Sequence, residues 1–285
     1  MVTKRFPDLN SSAIGSTRDA LHAYARLLGA WLKNCRPKRK HWWHASLRPS
    51  LNGLTTGVFS AGSDFEIELD LRGGALNART AIGDEISERL RGQSAAELAA
   101  KLREFFSENG VEEGVFPVEV DESPDGYPDY SNEQANQIAL ALGAVASAMR
   151  RFRAGIREET SPIQIWPHHF DLSMLWLPGY KVAGQDPRDE ESADKQMNFG
   201  FTFGDEGIPE PYLYVTAYPE PAGLSKHRLP VGTEWRSEGF SGAVLPYRSL
   251  VEQQDPEAYL LELWSSLLSA GRELMLDGTP AERTG

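Results

Sequence analysis

A strict alternation of apolar and acidic residues near position 65 constrains the fold more than any other feature of the sequence. The odd positions of residues 65–71 are apolar, and the even positions of residues 64–70 are acidic. Because successive side chains of a strand point to opposite faces, this pattern predicts a strand with one face in the core and one in water. Gly73 and Gly74 then predict a turn, after which residues 76–80 should return as the partner strand.

Helices with clear start signals flank the predicted strands. Ser94 and Glu97 form a capping box, and Asp255 followed by Pro256 begins the last helix. The order of elements is helix, strands, helix, and it occurs twice. We therefore predict an α+β fold, with a largely antiparallel sheet and helices packed to one side. The predicted boundaries are a single domain over 1–278, two pseudo-repeated halves at 16–120 and 131–276, and a flexible tail over 279–285.

Composition and charge exclude several classes of protein. Among the 285 residues, 40% are hydrophobic and 25% are charged, as in ordinary globular proteins. The single cysteine, Cys35, excludes an intrachain disulfide and a cysteine-rich zinc module. The net charge of −12 opposes binding to nucleic acid or to an anionic membrane. With no secretory leader and no apolar run long enough for a membrane span, we expect a cytoplasmic protein.

One basic segment runs against the acidic character of the chain. Five lysines and arginines between Lys33 and Lys40 precede Trp42 and Trp43. Basic residues beside aromatic residues are one signature of nucleic-acid binding. Cations at the end of a helix also complement its dipole. We favour the second interpretation because the whole chain is acidic, and we expect no nucleic-acid partner.

Three short segments of the chain stand out, two of them rich in tryptophan and histidine and the third in proline. They are His41-Trp42-Trp43-His44, Trp166-Pro167-His168-His169-Phe170-Asp171 and Ala217-Tyr218-Pro219-Glu220-Pro221. Together these segments resemble a family of bacterial and fungal proteins classed only as a domain of unknown function. The resemblance extends from Phe6 to the last helix. It implies no activity, ligand or catalytic residue.

The first two segments carry the candidate catalytic residues. If each is a strand, Trp42, His44 and Arg48 share one face, and His169 and Asp171 share another. Asp171 could then fix the tautomer of His169, which would exchange protons near neutral pH. We predict His169, Asp171 and His44 as catalytic residues on this basis.

A wall of mixed apolar and polar side chains is predicted around these residues. Small residues at Gly200 and Thr202 would leave room for a ligand on the same face as the tyrosines of a later strand. Such a mixture is typical of small-molecule pockets. The predicted ligand-binding residues are Trp42, Arg48, His168, Tyr212, Tyr214 and Tyr218.

The sequence therefore predicts a small-molecule enzyme that uses histidine–aspartate acid–base chemistry in an aromatic-lined pocket. One alternative is a non-catalytic ligand-binding or interaction module on the same wall. Another is a metal-dependent enzyme in which His44, His169 and Asp171 hold the ion. No glycine-rich nucleotide loop or Gly-x-Ser-x-Gly elbow is found. The sequence identifies no cofactor, substrate or oligomeric state.

Overall fold

The computed structural model divides into two compact units. The first contains residues 1–144 and 164–171, and the second contains residues 145–163 and 172–285. The described residues are 6–9, 11–116, 123–189 and 191–276. Two predicted segments lie outside these ranges in whole or in part. One is the flexible tail over 279–285, and the other is a strand that the sequence predicts over 115–120, of which residues 117–120 are outside. The single domain over 1–278 and the pseudo-repeat stay predictions.

Helices and strands alternate along the chain in the predicted order. Up to the long central helix, the elements are α1 (Ser11–Cys35), a 3-10 helix (Lys40–Ala45), β1 (Arg48–Pro49), β2 (Gly53–Thr55), β3 (Phe59–Ser60), β4 (Asp64–Asp70), β5 (Ala75–Thr80), β6 (Glu85–Arg89), α2 (Ala95–Glu108), a 3-10 helix (Glu113–Val115) and α3 (Asn132–Ala154). The later elements are β7 (Glu159–Thr160), β8 (Gln164–Trp166), β9 (Asp171–Leu177), β10 (Gln196–Thr202), β11 (Tyr212–Tyr218), a 3-10 helix (Leu224–Lys226), β12 (Glu234–Arg236), β13 (Gly242–Pro246), α4 (Tyr247–Val251) and α5 (Pro256–Met275).

The first unit packs two helices on one face of an antiparallel sheet. The strand order is β1-β2-β4-β5-β6, with β3 beside β4. Phe65 of β4 meets Phe106 of α2 edge to face, with ring centroids 4.7 Å apart. Phe106 also packs on Trp31 of α1 at 4.8 Å. The apolar positions of β4 therefore face the helices, as the alternation predicts.

Local start and stop signals explain the helix ends. Ser94 accepts the backbone N–H of Glu97 at the start of α2, and Asp255 does the same for Ala258 at the start of α5. Helix α1 ends two residues before Pro37, since a residue that precedes proline is disfavoured in helical conformation.

The second unit also has its helices on one face of a sheet. The strand order is β12-β13-β11-β10-β9-β7. Phe199 of β10 contacts Phe152 of α3 and Trp264 of α5, with ring centroids 4.9 and 6.5 Å away. Arg272 of α5 donates two hydrogen bonds to the carboxylate of Glu158, at 2.6 and 2.7 Å. The two sheets and their helices confirm the predicted α+β class.

Among the described residues, no helix combines the length and the apolar character needed to cross a membrane.

Candidate functional site

The first histidine–tryptophan motif lies in a 3-10 helix and not in the predicted strand. Both His41 (φ +49°) and Trp42 (φ +56°) have left-handed backbone conformations. Consecutive left-handed residues cannot continue a pleated strand, so the predicted alternation of Trp42, His44 and Arg48 is wrong. Pairing with another segment begins only at Leu47.

The 3-10 helix buries both histidines and leaves the indole of Trp42 in contact with solvent. His41 is 7% exposed and His44 is 5% exposed, whereas Trp42 is 37% exposed. Nδ1 of His44 accepts the backbone N–H of Arg39 at 3.1 Å. The neutral ring therefore carries its proton on Nε2 and offers a donor there. Because burial also lowers the pKa of His44, this ring is better suited to donating a hydrogen bond than to acting as a base.

Two exposed lysines place their ammonium groups over the same indole. Nζ of Lys33 lies 5.4 Å from the ring centroid of Trp42, and Nζ of Lys38 lies 5.6 Å from it. His44 stacks on that indole, with centroids 5.5 Å apart and an interplanar angle of 24°. Within the described part of the chain, neither ammonium forms an ion pair with a carboxylate.

Two arginines of this region, Arg36 and Arg48, are partly buried. Arg36 donates to backbone carbonyl oxygens, that of Thr56 at 2.7 Å. Arg48 donates to Ser46 Oγ at 2.7 Å and to Gln164 Oε1 at 3.4 Å. All the acceptors of both guanidinium groups among the described residues are neutral oxygens. Burial, followed by the charge of Arg36, lowers the pKa of Arg48 to about 10.

The amide of Gln164 joins the two motifs. Gln164 and Ser46 are completely buried, and Ser46 Oγ lies 2.8 Å from Gln164 Oε1. Leu47 and Ile165 exchange backbone hydrogen bonds of 3.0 Å, which holds the two segments side by side. Nε2 of Gln164 is buried and has no hydrogen-bond partner among the described residues. The amide therefore presents an unused donor next to Arg48.

Helix α1 packs closely against both motifs at Gly29. A Cβ atom on Gly29 would lie 2.5 Å from Cγ of Pro167 and 3.3 Å from the carbonyl oxygen of Ala45. Only a residue without a side chain allows this approach.

We name the group of basic and aromatic side chains described above the basic–indole site. It comprises Lys33, Arg36, Lys38, Trp42, His44 and Arg48.

The second motif forms a turn before β9. His168 and His169 are exposed in this turn, whereas Asp171 begins the strand and is only 6% exposed. Phe170 between them has a φ of +53°. The predicted placement of His169 and Asp171 on one face of a strand is therefore wrong, because the extended backbone starts after His169. The structure does not assign a catalytic role to either residue.

A third histidine, His22, contacts this turn from α1. Its Nε2 lies 3.1 Å from the carbonyl oxygen of His168, and its ring stacks on Phe170 with centroids 5.8 Å apart. The rings of His168 and His169 are 4.3 Å apart. No local sequence signal indicates this contact, because His22 and His168 are 146 positions apart.

The first unit should lose stability in mild acid, and the melting temperature is expected to fall between pH 7.5 and pH 5.5. Burial is the main cause that lowers the pKa of His22 and His44 from 6.5. The unfolded chain takes up protons first, so stability present above pH 6.5 is lost as the pH falls through the folded pKa values. His44→Asn keeps an acceptor for the Arg39 N–H and should reduce the fall. Equal wild-type melting temperatures at both pH values would contradict this expectation.

The three tyrosines predicted to bind a ligand belong to the second unit. They share a face of β11 because all three stand at even positions of the strand. On the neighbouring strand β10, Gly200 pairs with Tyr214 and Thr202 pairs with Tyr212. The space above Gly200 is already filled, because a Cβ there would lie 2.1–2.4 Å from the ring and hydroxyl of Tyr214. The expected room for a ligand at this position is therefore absent.

The tyrosines also differ in exposure. Tyr212 is 4% exposed, and its hydroxyl lies 2.5 Å from Oδ2 of Asp205. Tyr214 is partly buried, and Tyr218 is 38% exposed. A ligand-binding role for these three residues stays a prediction.

The three side chains of the metal-binding alternative do not assemble into a site. Within the described ranges, no group of three histidine, cysteine, aspartate or glutamate side chains is arranged to hold an ion. His44, His169 and Asp171 therefore do not form the two-histidine, one-carboxylate site considered from the sequence.

The fold and the basic–indole site define a two-unit α+β protein with a local cluster of cations on an acidic chain. A comparison with protein families shows that the chain belongs to a family of unknown function, DUF5996, whose profile matches residues 6–276. No curated protein and no solved structure matches the chain significantly.

Proposed function

We propose that the protein binds a small anionic molecule at the basic–indole site. The observation that carries this proposal is the environment of Arg48, a partly buried guanidinium whose acceptors among the described residues are all neutral oxygens. Burial of a cation without a counter-ion is unfavourable, and a bound anion offsets that cost. Charge-assisted hydrogen bonds are also stronger where water is excluded. A ligand carboxylate or phosphate would complete the site.

Neighbouring groups supply further donors of the kind that an anion needs. His44 offers a neutral N–H, and Gln164 offers an amide donor that is not used within the described part of the chain. Lys33 and Lys38 add mobile charge from the surface. A site with a planar guanidinium, neutral donors and flexible ammonium groups suits a ligand with one to three negative charges.

A small anion fits this protein better than a polyanion. The chain carries a net charge of −12, so its long-range field repels a nucleic acid or an anionic membrane surface. A small ligand experiences mainly the local cluster, because charges farther than about 8–10 Å are screened at physiological ionic strength.

Acid–base catalysis by His169 and Asp171 remains the weaker candidate. The sequence favours this chemistry because His169 and Asp171 would share one face of a strand. Residues 167–170 form a turn, so the two side chains do not share a strand face. We therefore favour the non-catalytic ligand-binding alternative for the site around Arg48.

Calorimetric titration with inorganic phosphate and with citrate, at low ionic strength and pH 7, tests the proposal. We expect saturable binding that Arg48→Met weakens at least 10-fold, since a hydrogen bond to a charged group contributes about 1.5–3 kcal/mol. Arg48→Lys should restore part of the affinity, because it keeps the charge but not the planar pair of donors.

The matched control is Arg89→Met, which removes an exposed arginine at the end of β6. It should leave the affinity unchanged. Absence of saturable binding, or equal weakening by Arg48→Met and Arg89→Met, would show that a diffuse charge effect and not this site is responsible.

A further inference from the structure

The exposed indole of Trp42 is not needed to bind a simple anion. It is 37% exposed on a protein whose other tryptophans are buried or half-buried. Its backbone is left-handed, a conformation that bulky residues rarely adopt, and it directly follows the left-handed His41. Glycine would be the low-strain residue at this position. The side chain therefore needs an explanation beyond the packing of the turn.

Trp42 has one aromatic neighbour already in place. The imidazole of His44 stacks on it at 5.5 Å and 24°, within the usual range for offset aromatic pairs. A further planar ring would extend this stack. Base-like or phenyl rings stack on tryptophan regardless of their substituents, because every such ring has a π face.

The two lysines over the indole connect ring binding to anion binding. Lys33 and Lys38 are exposed, and each ammonium lies within 6 Å of the ring centroid. A cation held over an exposed ring interacts more weakly than one hydrogen-bonded to an anion. An incoming anion should therefore draw the ammonium groups off the indole, which makes the ring accessible when the anion binds.

Ser46 brings the two parts of the site within reach of one molecule. Its Oγ accepts a hydrogen bond of 2.7 Å from Arg48, and it lies two residues after His44 in the chain. His44 in turn contacts Trp42.

From these contacts we infer that the ligand is an aromatic anion, whose acidic group binds Arg48 and whose ring stacks on Trp42. This inference rests on the proposed anion-binding function. It names the substrate class as phosphorylated or carboxylated aromatic compounds of the size of a mononucleotide or smaller. Lys33 and Lys38 would neutralise the remaining charge.

Three phosphate monoesters test the inference: methyl phosphate, butyl phosphate and phenyl phosphate. Each is titrated into the wild type, Trp42→Leu and Trp42→Phe. We expect phenyl phosphate to bind about 10-fold more tightly than butyl phosphate, a difference of about 1.4 kcal/mol. Trp42→Leu should abolish that preference, which is measured as the ratio of the two affinities within each variant, and Trp42→Phe should restore most of it.

The outcomes separate this inference from the proposed function. If methyl phosphate binds through Arg48 but phenyl and butyl phosphate bind equally, the aromatic class is wrong and anion binding stands. If the preference survives in Trp42→Leu, the ring binds elsewhere and the inference is also wrong. If no monoester binds the wild type, the anion-binding function itself fails. Binding confined to single-stranded oligonucleotides would overturn the small-ligand class.

Discussion

Replacement of Gly29 by alanine is expected to lower the free energy of unfolding by about 2 kcal/mol. The new methyl group would lie 2.5 and 2.7 Å from the ring carbons of Pro167 and 3.3 Å from the carbonyl oxygen of Ala45. Real Cβ atoms do not approach other atoms this closely, so helix α1 or both motifs must shift. Urea or thermal unfolding of the purified variant measures the loss.

The matched control is Gly15→Ala in the same helix. No atom lies within 4 Å of a Cβ placed on Gly15, so only the intrinsic preference for alanine in helices applies. That change should stabilise the protein by roughly 0.5–1 kcal/mol. The same substitution in one helix is therefore expected to have opposite signs at two positions. Stabilisation by Gly29→Ala would show that the motifs do not pack on α1 at this point.

Replacement of Gly200 by alanine is expected to cost about 2 kcal/mol in the wild type and close to zero when Tyr214 is already alanine. In the wild type the Tyr214 ring covers Gly200 and must swing away from a Cβ atom. Without the ring, the three atoms closest to the new methyl group are gone. The four proteins of this double-mutant cycle are compared by chemical denaturation.

The cycle also tests why the second unit has no room for a ligand at Gly200. A coupling energy of about 2 kcal/mol would mean that Tyr214 itself fills the space that the small residue provides. Additive effects of the two changes would mean that the ring does not rest on Gly200 in solution, and that the predicted ligand wall deserves a second test by titration.

The fold could be predicted because its signals are local. The alternation at residues 64–71 defines β4, and the Ser94 and Asp255 caps define where α2 and α5 begin. Each signal depends on residues within one or two turns or a single strand. Periodicity and capping chemistry are therefore sufficient to place these elements.

The backbone of the two motifs could not be predicted in the same way. His41, Trp42 and Phe170 have left-handed conformations, which bulky residues such as tryptophan and phenylalanine rarely adopt. Tertiary contacts impose the conformation, so neither the sequence nor its periodicity indicates it. One consequence is that a strand register was expected for both motifs and was wrong for both.

The candidate site was predicted in part. Trp42 and His44 stack on each other, although a 3-10 helix and not a strand positions them, and Arg48 lies beyond that helix in β1. Gln164 was missed because it reaches Ser46 across 118 positions of sequence. The sequence predicts that the basic run from Lys33 to Lys40 marks a helix end. The contacts of Lys33 and Lys38 with Trp42 could not be predicted, because they depend on the turn that follows the helix.

The segment 164–171 has a consequence for how the protein is made. It belongs to the first unit, although the residues on either side of it belong to the second. During translation, the first 144 residues leave the ribosome without the strand that pairs with Leu47 and without the amide that holds Arg48. The backbone groups of Leu47 thus stay open until β8 emerges, and the proposed anion site is complete only after synthesis has passed the middle of the chain.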